Sequence, residues 1–184
     1  GLVPRRNDSY ASDVGYFVEE VRRRLIEKYG EKAEDGPNSV YAGGLWVRTS
    51  LDPQMQKATQ EALRAGMLRY HAGKGWRGPI AHIVLDADKS QSQLVSANIS
   101  LNYKNWRTGV VVSRDGPAAT IGFADGSTAP LTGIPDPLKA GDVVAAEPAG
   151  SSYALRSIPE VSGGMVAEDV QTGRVLAMQG GFDA

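Results

Sequence analysis

The chain has 184 residues, 41% of them hydrophobic, a formal net charge of -1 and no cysteine. Such a length holds one ordinary domain or two small ones, and this apolar content is that of a folded globular chain rather than a disordered one. Near-neutral charge removes any long-range pull toward polyanions or anionic membranes, and the lack of Cys excludes a disulfide framework or a thiolate metal cluster.

No apolar run reaches the roughly 18 to 20 residues of a membrane span. Arg5 and Arg6 have no apolar stretch behind them, so the first residues do not read as a signal peptide. After a polar start, a helix is expected over 13–29. Asp13 is its cap, Val14, Phe17, Val18, Val21, Leu25 and Tyr29 form one apolar stripe, and Gly30 is the stop. Arg22, Arg23 and Arg24 fall on the outer face of that helix and read as a solvated face in preference to the alternative, a partner site. A loop containing Gly36-Pro37-Asn38 leads to a strand over 45–51 that alternates Leu45, Val47, Thr49 and Leu51 with Trp46 and Arg48. Asp52 and Pro53 then supply the N-cap and first position of a second helix, 53–70. Its packing face is expected to be the small-residue row Met55, Ala58, Ala62, Ala65 or Gly66, and Arg69, widened by Leu63, Met67 and Tyr70.

Gly73, Gly75, Gly78 and Pro79 mark a change to a β-rich middle. Strands are expected near 80–86, 108–113, 118–123, 127–131, 142–147 and 153–158, with turns at Asp115-Gly116-Pro117 and Asp125-Gly126 and a long loop over 87–105. Short strands at this spacing point to a small antiparallel barrel, and the five from 108 to 158 fit an OB-like one. The chain ends in two short apolar strands around Thr172-Gly173, a hairpin. The fold class is therefore α+β: two N-terminal helices with a strand, a C-terminal β-hairpin, and a small antiparallel OB-like barrel. The organisation reads as 1–79, 80–160 and 161–184.

Candidate chemistry is sparse. His71 and His82 are the only histidines, in different elements, and a zinc site needs three or four convergent ligands. Glu19-Glu20 and Glu168-Asp169 are adjacent pairs; along a strand the latter would point to opposite faces, which is poor for shared acid–base work. OB-like barrels often bind single-stranded nucleic acid. Over 103–158, however, Lys104, Arg107, Arg114, Lys139 and Arg156 are balanced by Asp115, Asp125, Asp136, Asp142 and Glu147, and Tyr103, Trp106, Phe123 and Tyr153 are scattered. No catalytic, cofactor-binding or metal residue is assigned, and nucleic acid is not expected as a partner.

Two strings carry a family resemblance. Ser162 to Gly181, with Gly164-Met165-Val166-Ala167, Thr172-Gly173 and Val175-Leu176-Ala177-Met178 within it, resembles the opening of the transpeptidase domain in penicillin-binding proteins. Gly44-Leu45-Trp46-Val47-Arg48-Thr49-Ser50-Leu51-Asp52 through Gln56 is similar to the junction that follows the glycosyltransferase domain in class A members, and Tyr16 to Val21 looks like their linker helix. The resemblance implies a central fragment of such a bifunctional enzyme: linker region 1–79, inserted OB-like domain 80–160, and start of the transpeptidase domain 161–184. It implies a parent on the periplasmic side of the inner membrane that polymerises lipid-linked disaccharide and crosslinks stem peptides. The partners implied are the parent's own catalytic domains and a cell-envelope regulator.

A penicillin-binding transpeptidase uses a Ser-x-x-Lys pair on one helical turn, and no serine here has Lys three positions later. Arg107-Thr108-Gly109 and Gln171-Thr172-Gly173 only echo the family's Lys-Thr-Gly strand. Ser96-Ala97-Asn98 matches its Ser-x-Asn motif in letters but in the wrong order along the chain. The fragment is thus expected to be non-catalytic, spacing two active sites or docking a regulator. The alternative is a free-standing OB-like module that binds peptide or single-stranded nucleic acid.

Overall fold

The computed structural model describes residues 14–85, 101 and 103–182. The cap expected at Asp13, the far end of the strand expected at 80–86, most of the loop expected over 87–105, and Ser96-Ala97-Asn98 lie outside the described residues. In chain order the elements are α1 (Gly15–Tyr29), a short 3-10 turn (Ala33–Asp35), α2 (Pro53–His71), β1 (Ala81–His82), β2 (Arg107–Asp115), β3 (Ala118–Gly122), β4 (Thr128–Thr132), β5 (Asp142–Ala149), β6 (Ser152–Arg156), β7 (Gly164–Glu168) and β8 (Val175–Gly180). They fall into two compact units. One combines the described residues up to Tyr70 with Val161–Phe182; the other is His71–Glu160. Among the described residues no helix is long and apolar enough to cross a membrane.

The first unit is built on β8. Antiparallel β7 and β8 pair from Gly164↔Gly180 to Ala167↔Ala177, with a register shift before Glu168↔Val175. Asp169 closes the hairpin: its carboxylate accepts hydrogen bonds from Gln171 N–H, Thr172 N–H and Thr172 Oγ1 at 3.1, 2.7 and 2.8 Å. Those donors, the Thr172 hydroxyl first, hold the Asp169 carboxyl below the usual range. Gly173, at φ +68°, supplies the left-handed step of the turn. Asp169 is therefore a turn residue and not the strand residue that the alternation with Glu168 suggested.

Three expectations for this unit are corrected. The strand over 45–51 does not form, and residues 44–52 carry no regular secondary structure. Only Asp52 N–H reaches β8 by backbone, bonding Leu176 O at 2.9 Å, while Ser50 uses its hydroxyl on Val175 O. This contact cannot run on past Asp52, because Pro53 has no N–H for a ladder and starts α2. The next rung comes from that helix, where the Gln56 side-chain amide donates to Met178 O at 3.1 Å and accepts from Met178 N–H at 2.9 Å. Asp52 caps α2 as expected, with Oδ1 accepting from Gln54 and Met55 N–H at 2.9 and 3.0 Å.

The second correction concerns which face of α2 is buried. Of the expected face, Met67 is buried and Leu63 and Gly66 are half-buried, but Met55, Ala58, Ala62, Ala65, Arg69 and Tyr70 are exposed; Gln56, Thr59, Gln60 and Arg64 are inside instead. Two groups of this polar face find partners, Gln56 on Met178 and Arg64 Nε on Phe182 O at 2.6 Å, whereas Gln60 Nε2 is buried with none among the described residues. Thirdly, the stripe of α1 is only partly used. Phe17 is buried, but Val18 is 54% exposed and Tyr29 is exposed as well. The helix meets β8 through its first turns, where Tyr16 lies so close over Gly180 that a Cβ there would sit 2.8 Å from the ring.

The second unit is a closed five-stranded barrel. Neighbours run β5-β2-β3-β4-β6, and β5–β6 pairing closes the ring. Four of the five pairings are antiparallel; β4 and β6 pair in parallel at Leu131↔Tyr153 and Thr132↔Ala154. The barrel is therefore mixed and not wholly antiparallel as expected, because β6 returns beside β4 only after the chain has already reversed through β5. Strand β1 adds to β5 at Ala81↔Val143 and His82↔Asp142. The interior is aliphatic with one aromatic: Val111, Ile121, Phe123, Leu131, Leu138, Val144, Ala146 and Leu155 are buried together, and Trp76, Ile134 and Tyr153 pack against them. Arg114 fastens the 133–138 loop by donating to the carbonyls of Pro135, Asp136 and Leu138.

Candidate functional site

Of the carboxylates singled out by sequence, Glu19, Glu20 and Asp169 have structural partners, Asp169 in the hairpin turn already described. Glu19 takes Arg22 at 2.7 Å, and Glu20 takes both Arg23 and Arg24, at 2.8 and 2.7 Å, all on the surface of α1. His71 ends α2 and His82 lies in β1, and among the described residues no group of three His, Asp or Glu is placed to hold a metal ion. The scattered aromatics of the barrel are structural. Phe123 and Tyr153 meet at 4.6 Å between centroids, and the Arg107 guanidinium lies 4.0 Å over the Phe123 ring. Tyr103 and Trp106 pack edge to face at 4.9 Å.

What the fold assembles instead is a largely apolar cleft with charged residues in its lining, on the barrel unit. Residues 76–79 lie as a strap beside β5, and Ile80 N–H bonds Val143 O at 2.8 Å to carry the chain into β1. Between this strap and the 137–142 loop is a depression of about 530 Å³ lined by Trp76, Arg77, Pro79, His82, Lys139 and Asp142, among others. Asp142 is buried and fully engaged: Oδ1 meets His82 Nδ1 at 2.8 Å, and Oδ2 accepts from Lys139 N–H at 2.8 Å. Gly141 lets the loop approach β1, since at φ +93° a Cβ there would lie 2.4 Å from Ile83 O and 2.9 Å from the His82 ring. On the far side of the same strap is a second depression of about 260 Å³, which adds Ala145, Arg156, Ile158 and Glu160.

Sequence assigned none of these residues to a site: His82 was weighed only as a metal ligand, and Lys139, Asp142 and Arg156 only in the barrel's charge balance. The run Gly75 to Pro79 reads as a boundary, and the signal available was the placement of Trp76-Arg77 between glycines, a bulky aromatic and a cation in a turn-rich stretch. Lys139 and Asp142 are far from it in sequence and carry no motif.

Comparison with known proteins bears on the whole chain. No protein-family model matches it. Penicillin-binding protein 1A of Rickettsia typhi is 36% identical over 181 residues, 91% of this chain and 22% of that protein. The protein of the same name from Escherichia coli K12 is 28% identical over 193 residues with the same shares. The chain is homologous to a central segment of class A penicillin-binding protein 1A. It spans about a fifth of the length of these relatives, 22% of each. The crystal structure of penicillin-binding protein 1A from Haemophilus influenzae superposes with a TM-score of 0.72 at 24% identity, over 92% of this chain and 26% of that one, so the fold is shared.

Proposed function

We propose that the chain is the non-catalytic interdomain region of a bifunctional, periplasm-facing penicillin-binding protein 1A, in which the barrel couples the two catalytic domains or docks a regulator of cell-wall synthesis. Residues 1–79 are then the linker region, 80–160 the inserted domain and 161–184 the start of the transpeptidase domain. The observation that carries this reading is the discontinuity of the first unit, interrupted by the whole of His71–Glu160. Tyr70 and Val161, the residues on either side of the insertion, line one cleft of the first unit together with Leu63, Met67 and Met165. Neighbouring entry and exit points are what an inserted domain has, and they allow it to be removed without unravelling its host. The lack of any Ser-x-x-Lys pair in the sequence supports a non-catalytic role.

The test is replacement of 71–160 by a short Gly/Ser linker in the full-length parent. Penicillin acylation should stay within about tenfold of the unaltered protein. Coordination of glycan polymerisation with crosslinking should fall, with interdomain coupling of this kind commonly worth about 5- to 150-fold. Complete loss of acylation in a variant that still folds would move the barrel into the catalytic architecture and reject the proposal.

A further inference from the structure

The cleft along the 76–79 strap has an unbalanced chemistry. Its one carboxylate, Asp142, is buried and committed to His82 and to Lys139 N–H. The side chains of Arg77 and Lys139, both exposed on the rim, have no ion-pair partner among the described residues. The floor and walls are stiff: Trp76 is half-buried against the barrel core, Pro79 and Pro137 line the walls, and Gly141 fixes the loop that carries Lys139. Two uncommitted cations beside a fixed aromatic suit an anionic ligand with apolar flanks, and preformed walls reduce the ordering cost of binding. The second depression along the strap adds the apolar wall of Ile158 and Pro159 but no free cation among the described residues, since Arg156 is paired with Glu147 and Glu160 is acidic, so the contacts to an anion are confined to the first.

We propose that this trough is a docking site for a short acidic segment of a protein partner, with carboxylates meeting Arg77 and Lys139 and an apolar or proline residue lying on Trp76. The inference deepens the docking role proposed above and rests on it. Nucleic acid is disfavoured because opposite charges cancel over 103–158 and Trp76 is the single aromatic of the cleft, whereas strand binding uses a cationic track with successive stacked rings.

The probe is a fluorescein-labelled peptide of alternating Glu and Pro, titrated into the whole chain at low salt. Controls are the same peptide with Gln for Glu, oligothymidylate, and phosphatidylglycerol vesicles. Saturable binding of the Glu peptide is expected, weakened by salt and by at least about tenfold in the Arg77→Glu/Lys139→Glu double variant. It should be unchanged in Lys57→Glu, and the Trp76 indole N–H resonance should shift on titration. Both charge reversals lie on the exposed rim, and an unaltered melting temperature would show that the fold is kept. No saturable binding, binding indifferent to the double variant, or tighter binding of the Gln peptide, the oligonucleotide or the vesicles would each overturn the proposal. If the barrel replacement impairs coupling while the peptide fails to bind, the role stands and this site does not.

Discussion

Two side chains show how single residues fix this fold. Asp125 closes the turn between β3 and β4, accepting from Ser127 Oγ and N–H at 2.5 and 2.9 Å and from Arg107 at 2.6 Å. These donors, the Ser127 hydroxyl first, lower its carboxyl to about 2. A carboxyl depressed in the folded state stabilises the fold above its unfolded value of about 3.9, and that contribution is lost as pH falls toward 2. Carboxyl NMR titration should give Asp125 a midpoint near 2, and Asp125→Asn should flatten the loss of stability between about pH 4 and 2. A midpoint near 3.9 would show that the turn is open in solution. Gln56 makes the opposite kind of contribution, replacing a missing strand by a side chain. Gln56→Leu leaves Met178 N–H and C=O without their buried partner and should cost about 1–3 kcal/mol in urea unfolding. A smaller cost would mean that water reaches the β8 edge.

Among the elements, the 137–142 loop and β1 are joined by close backbone approach and not by a ladder of any length. Ile83 N–H bonds Gly141 O at 2.8 Å, and Gly141 N–H bonds Val111 O at 2.8 Å. Gly141→Ala combines a left-handed φ with a clash against the Ile83 carbonyl and should destabilise by about 1–3 kcal/mol. Gly116→Ala, also left-handed but facing open space, should cost only about 1 kcal/mol. Equal costs at the two positions, read from thermal melts, would show that the loop yields without resistance. The same approach sets the cleft, because it places His82 and Lys139 on either side of Asp142.

For the whole molecule, the two units have different architectures: a polar-faced helix and hairpin interrupted in sequence, and a closed mixed barrel continuous in sequence. Acylation by a β-lactam needs an activated serine, and no serine of the sequence has Lys three positions later. Among the described serines, Ser50 donates to Val175 O, Ser127 to Asp125 and Ser152 to Ala149 O. Incubation with fluorescent penicillin should leave the intact mass unchanged, and a stoichiometric adduct would contradict the non-catalytic reading.

What the sequence determined by itself is local or periodic. Asp52-Pro53 announces a helix start because both residues act within one turn. Thr172-Gly173 and Asp125-Gly126 announce reversals because backbone freedom is a property of single residues, and the spacing of short apolar runs announces a barrel. The two family-like strings were also legible, since identity of letters needs no geometry. Tertiary structure alone decided the rest. On the polar face of α2, Gln56 and Arg64 are buried because Met178 and Phe182, over a hundred residues away, offer them backbone partners. The chain over 45–51 reaches β8 through the Ser50 hydroxyl, and beyond Asp52 the Gln56 side chain takes the next rung in place of a strand. β4 and β6 run in parallel because β5 intervenes between them, and the cleft exists because a buried Asp142 holds Lys139 and His82 beside a strap that follows α2. Each of these depends on partners distant in sequence, which no local pattern encodes.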